Sequence, residues 1–148
     1  MAFALGACAS KAPTATGGVA FNLPNINGGT FNSADAAGRP VFLAFMATYC
    51  GYCKMSVPQE NEVSKTYGPK GLKVFGVFGD QTAAGPAQYA KDQGVTFDVL
   101  YAGGELAGRL GVRGVPHFVL LDKNHNVVKT WTGYSANHNF SEEINKVL

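Results

Sequence analysis

Long apolar runs and strong net charge are both missing from this 148-residue sequence. No hydrophobic stretch approaches the ~20 residues that a membrane-spanning helix needs. The net charge is only +2, and the 12 Lys and Arg residues are scattered along the chain. A nucleic-acid-binding surface would need a concentrated basic patch. We therefore expect neither a membrane-spanning helix in this sequence nor a nucleic-acid partner.

Cysteine is also scarce, with three residues, of which Cys50 and Cys53 form a C-x-x-C pair. A structural zinc site usually takes four ligands from two such pairs. Here there is no second pair and the three histidines lie in separate segments, so we expect no metal at this pair. A disulfide that closes so short a loop constrains the unfolded chain least, which disfavours a purely structural bond. The pair therefore favours redox chemistry.

The composition divides the chain into a short amino-terminal tail and a single domain. Residues 1–18 are rich in Ala, Thr, Ser and Gly, a composition that suits a flexible tether. The remaining length lies near the commonest domain size and is sufficient for one hydrophobic core. We predict a flexible tail or lipoprotein tether over residues 1–18 and one folded, monomeric domain over residues 19–148.

Cys8 lies in this tail, at the end of the stretch "LGAC". The stretch resembles the lipobox of bacterial lipoproteins, in which the cysteine becomes lipidated. A secretory signal, however, needs a basic segment followed by about 7 to 15 apolar residues. Only seven residues precede Cys8, and none of them is Lys or Arg. Lipidation of Cys8 and an unmodified thiol in the tail both stay open.

From residue 19 onward, segments with strand and helix patterns alternate. The predicted strands are a hairpin in 19–32 that turns at Gly28-Gly29, buried strands at 41–48 and 72–80, a strand at 96–101 and a hairpin at 117–133. The predicted helices are 51–67, 86–93, a short helix containing Leu106 and Leu110, and 139–148 with Asn139 as its N-cap. The alternation predicts a three-layer α/β sandwich with ligand chemistry at the carboxyl ends of the strands.

Cys50 lies where the buried strand at 41–48 runs into the first long helix. The free N–H groups and the dipole of a helix N-terminus favour an anion there, and the thiolate is the reactive form of cysteine. We predict that Cys50 is the attacking nucleophile. Cys53 follows three residues later, which places the two side chains within about 5 to 6 Å on a helix. We predict that Cys53 resolves what Cys50 captures.

Three motifs in order resemble those of the thioredoxin-like family. The segment "ATYCGYCKMSVP" resembles its active-site segment, "GVRGVPHFVLL" the segment with its cis-proline, and "KTWTGY" its last strand. The lead-in to residue 45 and an extra helix and strand between Asp80 and Gly104 resemble the TlpA/ResA branch of extracytoplasmic proteins. The resemblance, over residues 19–148, implies a thioredoxin fold with a central mixed sheet, an N-terminal β-hairpin and an inserted helix-strand.

The resemblance also implies an activity, namely thiol-disulfide exchange with partner proteins through a mixed disulfide on Cys50. It implies no cofactor other than the Cys50-Cys53 disulfide. It also implies that the protein is a periplasmic reductase, which is tethered to the membrane if Cys8 is lipidated. The implied partners are protein thiols or disulfides, including apocytochrome c during cytochrome c biogenesis or a membrane reductase. The sequence does not decide the direction of electron transfer.

The resemblance assigns partner binding to two segments around the cysteines. Val115-Pro116 is expected to be the cis bond whose backbone pairs with the partner chain. Tyr49, Gly51 and Tyr52 are expected to shape the partner-binding surface, although an ordinary proline at a strand start remains the alternative for Pro116.

Two positions depart from the family pattern and leave the proton acceptor for Cys53 unassigned. Thioredoxins keep a buried acid six residues before the first cysteine, where this chain has Ala44. ResA-type proteins often carry a glutamate three residues after the second cysteine, where this chain has Ser56. His117, directly after the predicted cis-proline, is a candidate for proton transfer or for tuning the thiolate. The alternative is that its ring faces away from the sulfurs.

Two other functions on related scaffolds are weaker alternatives. A peroxiredoxin would carry a Thr or Ser three residues before its peroxidatic cysteine and a Pro seven before, where this chain has Ala47 and Leu43. A Sco-like copper-binding module would use two cysteines and a histidine, normally with one more residue between the cysteines. Both departures favour the oxidoreductase.

Overall fold

The computed structural model describes residues 18–148, so the predicted tail and the predicted lipidation of Cys8 lie outside the described residues. The strands are β1 (Asn22–Pro24), β2 (Thr30–Asn32), β3 (Val41–Met46), β4 (Lys73–Phe78), β5 (Asp98–Leu100), β6 (His117–Leu121) and β7 (Val127–Thr132). The helices are α1 (Gly51–Tyr67), α2 (Ala84–Gln93), α3 (Gly104–Arg109) and α4 (Phe140–Asn145), with short 3-10 turns at Ser33–Ala36 and Gly68–Lys70. Over the described range, no helix combines the length and apolarity needed to cross a membrane.

Five strands form a mixed sheet in the order β5-β4-β3-β6-β7. The central strand β3 pairs in parallel with β4 and antiparallel with β6. Every residue of β3 is buried, because helices and loops cover both faces of the sheet. The nearly continuous apolar run at 41–48 predicted this central position, and the structure confirms it.

Two apolar clusters, one on each face of the sheet, form the core. The side chains of β3 alternate between them, with Phe42 on one face and Leu43 on the other. Buried residues of α1, α2 and α4 belong to the first cluster, whereas α3 and the amino-terminal segment belong to the second. The predicted three-layer α/β/α sandwich is therefore confirmed.

The amino-terminal hairpin forms a separate two-stranded sheet of β1 and β2. Its turn contains Gly28 and Gly29 at φ +101° and +73°, a conformation that glycine adopts at no steric cost. Asn25 forms an isolated bridge with Leu100, and the N–H of Ile26 donates to the Val99 carbonyl at 3.1 Å. The hairpin therefore lies beside β5, at the edge of the main sheet.

Two helix starts differ in detail from the predictions. Helix α2 begins at Ala84 rather than Pro86, because a proline is tolerated anywhere in the first turn, where its missing N–H would have no helical partner. Asn139 precedes α4 but makes no side-chain cap. Its Oδ1 instead accepts a 2.8 Å hydrogen bond from the indole N–H of Trp131. Asn139 is therefore the N-cap residue, as predicted, but a tertiary donor from β7 takes the oxygen that would cap the helix.

We expect Asn139→Ala to destabilise the domain by about 1–3 kcal/mol, because it leaves the buried indole N–H of Trp131 without an acceptor. Urea denaturation followed by Trp131 fluorescence measures the loss. Asn137→Ala, at an exposed position in the same loop, is the matched control. Equal unfolding free energies for the two variants would contradict this account.

Candidate active site

The two cysteines occupy the first turn of α1, directly after β3. Cys50 is the N-cap residue, and its Sγ accepts a 3.1 Å hydrogen bond from the backbone N–H of Cys53. The two Cα atoms are 5.3 Å apart and the sulfurs form a disulfide. Cys50 is partly exposed, whereas Cys53 is completely buried. A partner chain can therefore reach only the first sulfur.

The segment before β6 lies against the first cysteine. The Val115-Pro116 peptide bond is cis, and the Val115 carbonyl oxygen is 3.6 Å from the Sγ of Cys50. A reduced Cys50 thiol could donate to that oxygen, whereas a disulfide sulfur has no proton to give. Pro116 is buried, and its carbonyl accepts from the N–H of Gly133 at 2.8 Å. The fold thus brings together residues more than sixty positions apart in the sequence.

An exposed apolar surface surrounds the pair. Tyr49, Tyr52 and Met55 are 88%, 65% and 52% exposed, which is unusual for large apolar side chains grouped together. The ring of Tyr52 stacks on that of Tyr134, with centroids 6.4 Å apart and planes 14° from parallel. Met55 and Tyr134 were not predicted to belong to this surface. Their only sequence signal was their position beside the second cysteine and the last-strand glycine.

His117 opens β6 but shares a sheet face with Val119 rather than with Phe118. Cys53 packs in the cluster that contains Phe118, so the imidazole and the buried sulfur project to opposite faces of the sheet. Desolvation lowers the pKa of His117, which favours the neutral ring. Its Nδ1 is 3.4 Å from the hydroxyl of Thr132. The redox role suggested for His117 stays a prediction.

A buried acid that the sequence analysis missed lies on the same helix. Glu60 is 0% exposed and contacts the hydroxyl of Ser56, which is also fully buried. Burial raises the pKa of Glu60 from its usual 4.5 to about 7, although the bond with Ser56 opposes that rise. The available signal was an acid on the apolar stripe of α1, one turn after Val57 and one turn before Val63.

Nothing on the described part of the chain neutralises Glu60. The two salt bridges within residues 18–148 are Arg109–Glu105 and Lys146–Glu143, both on other helices. Tyr89 from α2 is near enough that burial and then the Glu60 charge raise its pKa to about 12. Groups of three His, Cys, Asp or Glu side chains placed to hold a metal are also absent from residues 18–148.

Comparison with known proteins gives the family of this chain. The sequence profile of the Redoxin family matches residues 8–148. The chain belongs to the Redoxin family. It is 27% identical over 128 residues to the thiol-disulfide oxidoreductase ResA of Bacillus thuringiensis subsp. konkukian, covering 86% of this chain and 74% of that one. It is 26% identical over 140 residues to the ResA of Geobacillus thermodenitrificans, covering 93% and 80%.

A solved structure supports the same assignment. The pneumococcal exposed lipoprotein thioredoxin from Streptococcus pneumoniae superposes with a TM-score of 0.75 at 27% identity, covering 86% of this chain and 99% of that one. The predicted resemblance to thioredoxin-like, ResA-type proteins and the predicted fold are therefore confirmed. With its C-x-x-C cysteines at disulfide distance, this Redoxin-family chain is a thiol-disulfide oxidoreductase.

The buried Glu60 carboxyl should make the stability of the domain fall as pH rises. Its folded-state pKa of about 7 lies above its usual 4.5, so between these values the unfolded chain releases a proton that the folded chain keeps. The stabilisation is complete below about pH 4 and is lost by about pH 8, a total of about 3 kcal/mol. Urea denaturation across this range should show the fall in the wild type and its absence in Glu60→Gln.

Glu62→Gln is the matched control for this measurement, because Glu62 is an exposed acid on the same helix. It should keep the wild-type pH dependence. The same slope in the wild type and Glu60→Gln would show that the Glu60 carboxyl does not hold its proton in the folded state.

Proposed function

We propose that this protein exchanges disulfides with partner proteins through Cys50, with Cys53 as the resolving residue. The Cys50 thiolate attacks one sulfur of a partner disulfide, forms a mixed disulfide and releases the other partner sulfur as a thiolate. Cys53 then attacks Cys50, the Cys50-Cys53 disulfide forms, and the second partner sulfur leaves. The partner gains two electrons and the C-x-x-C pair loses two.

The observation that carries this proposal is the unequal exposure of the two sulfurs. Cys50 is partly exposed at the N-cap of α1, where the N–H of Cys53 points at its sulfur. That hydrogen bond and the helix dipole favour the Cys50 thiolate. Cys53 is buried one turn later, so it meets an incoming disulfide only after Cys50 has captured it.

We propose that the partner chain docks on the backbone beside the cis bond and on the apolar surface around the pair. The pairing of β6 with β7 begins at His117, so Val115 precedes the ladder and its backbone is open to a further strand. Tyr49, Gly51 and Tyr52 supply the predicted contact surface, of which the two tyrosines are strongly exposed. Backbone pairing of this kind would accept many partner sequences.

We propose that the protein acts outside the cytoplasm, as a reductase and as a monomer. The similarity to a protein named as an exposed lipoprotein thioredoxin supports this location and a lipid anchor on Cys8. The cysteine pair of apocytochrome c, in its disulfide form, is the proposed oxidised partner, and a membrane reductase is the proposed electron donor. Fractionation of cells followed by mass spectrometry of the amino-terminal peptide tests both the location and the anchor.

Replacing each cysteine should give a different defect. Cys50→Ser should abolish dithiol-dependent reduction of insulin, because the attacking thiolate is gone. Cys53→Ser should instead trap mixed disulfides that are visible on a non-reducing gel. Cys8→Ser is the control and should reduce insulin at the wild-type rate. Turnover that survives in Cys50→Ser would refute the assignment of the nucleophile.

The direction of transfer follows from the reduction potential of the Cys50-Cys53 couple. We expect a reductase, with a potential near the thioredoxin value of about −270 mV. Equilibration with glutathione, alkylation and mass measurement determine it. A potential of about −120 to −180 mV would instead show that the protein is an oxidant or isomerase rather than a reductase.

A further inference from the structure

The buried acid Glu60 has no part in the exchange as described so far. It lies on the face of α1 that also carries Cys53 and Ser56, and these three positions are separated by three and four residues. Side chains with this spacing lie one above another along a helix. All three are 0% exposed. Cys53, Ser56 and Glu60 therefore form a continuous buried row, which we call the Cys53–Glu60 row.

Hydrogen bonds join Ser56 to the backbone of Cys53 and to the side chain of Glu60. The Ser56 hydroxyl lies 2.8 Å from the carbonyl oxygen of Cys53 and also contacts one carboxyl oxygen of Glu60. A hydroxyl has one proton to donate and can accept through its lone pairs. Both contacts are satisfied together when protonated Glu60 donates to Ser56 and Ser56 donates to the backbone carbonyl of Cys53. When Glu60 is ionised, the serine proton turns toward the carboxylate instead. The direction in which the Ser56 hydroxyl points therefore depends on the protonation state of Glu60.

The surroundings of the row leave the carboxyl without a fixed partner. The other oxygen of Glu60 and the hydroxyl of Tyr89 from α2 are both buried without a hydrogen-bond partner. On the sheet beneath α1, β3 and β4 contribute apolar residues such as Phe42, Met46 and Phe78. Tyr89 is the titratable group from another element that lies near Glu60, and Cys53 lies two turns earlier on the same buried face of α1. A buried acid with no cation and no structural bond beyond one serine is costly for stability.

We propose that Glu60 is the proton acceptor for the Cys53 thiol when the mixed disulfide is resolved, with the Ser56 hydroxyl passing the proton between them. This assignment rests on the proposed function. In this step the Cys53 proton moves to Ser56 while the Ser56 proton moves to the Glu60 carboxylate. The Cys53 sulfur bonds to Cys50 Sγ, the bond from Cys50 to the partner breaks, and the partner sulfur leaves with the electron pair and takes a proton from water.

The acid-base chemistry of Glu60 suits this task. Because burial raises the pKa of Glu60 to about 7, the carboxylate and the carboxylic acid are both populated near neutral pH. The carboxylate accepts the Cys53 proton during oxidation of the pair. The acid returns it when the Cys50-Cys53 disulfide is reduced. A group with a pKa near the working pH is the most effective acid-base catalyst.

The test separates the capture step from the resolution step. Reduced protein carrying Cys8→Ser is mixed with oxidised glutathione, quenched with acid at intervals and analysed by mass, at several pH values. Formation of the glutathione adduct on Cys50 reports capture, and its disappearance into the Cys50-Cys53 disulfide reports resolution. Glu60→Gln and Ser56→Ala are compared with the unmodified background and with Glu62→Gln, an exposed acid on the same helix.

We expect the background and Glu62→Gln to resolve the adduct at a rate that rises with pH through about 7. Glu60→Gln and Ser56→Ala should capture glutathione normally but resolve it at least about tenfold more slowly at neutral pH. Their rates should recover at alkaline pH, where the Cys53 thiol ionises without help. A purely structural role would not move the pH profile in this way.

An unchanged pH profile of resolution in Ser56→Ala and Glu60→Gln would overturn the assignment of Glu60 while leaving Cys50 as the nucleophile. If Glu60→Gln does not fold, the profile of Ser56→Ala decides alone. Failure of the proposed function has a different signature, because Cys50→Ser would then still form the glutathione adduct, on Cys53.

Discussion

The antiparallel pairing of β3 with β6 is the constraint on which the active site depends. In this register Phe45, near the end of β3, pairs with His117, the first residue of β6. The end of one strand and the start of the other therefore meet at the same edge of the sheet. Helix α1 starts from the first strand with Cys50, and the cis bond at Val115-Pro116 leads into the second. One ladder thus places the sulfur beside the backbone proposed to bind the partner chain.

Helix α1 carries exposed apolar side chains on one side and buried side chains on the opposite side. Tyr52 and Met55 face outward beside the pair, whereas Cys53, Ser56 and Glu60 face the core. An apolar side chain in place of Glu60 would remove the desolvation cost of the buried carboxyl. The buried acid of this chain lies one turn beyond Ser56. In the family pattern, the acid lies nearer the cysteines. The buried carboxyl therefore lowers stability, and it lies on the same buried face of α1 as Cys53.

The sequence predicted the elements better than it predicted the side-chain contacts. Helix α1 matches its predicted limits, because its apolar stripe and its boundaries are local features of the chain. Asn139 is the N-cap residue as predicted, but its oxygen does not cap the helix, since Trp131 on β7 donates to it instead. The burial of Glu60 was not predicted, because a glutamate between polar neighbours in the sequence is normally exposed to solvent. Its burial follows from the packing of α1 against the sheet and α2.

The sequence by itself determined the order of strands and helices, the buried central strand and a C-x-x-C pair at a strand-helix junction. These depend on periodicity and spacing within short segments. Only the tertiary structure decided that His117 projects to the face opposite Cys53 and that Glu60 is enclosed with Ser56 and Tyr89. Those outcomes depend on strand register and on contacts between distant segments, which no local pattern encodes.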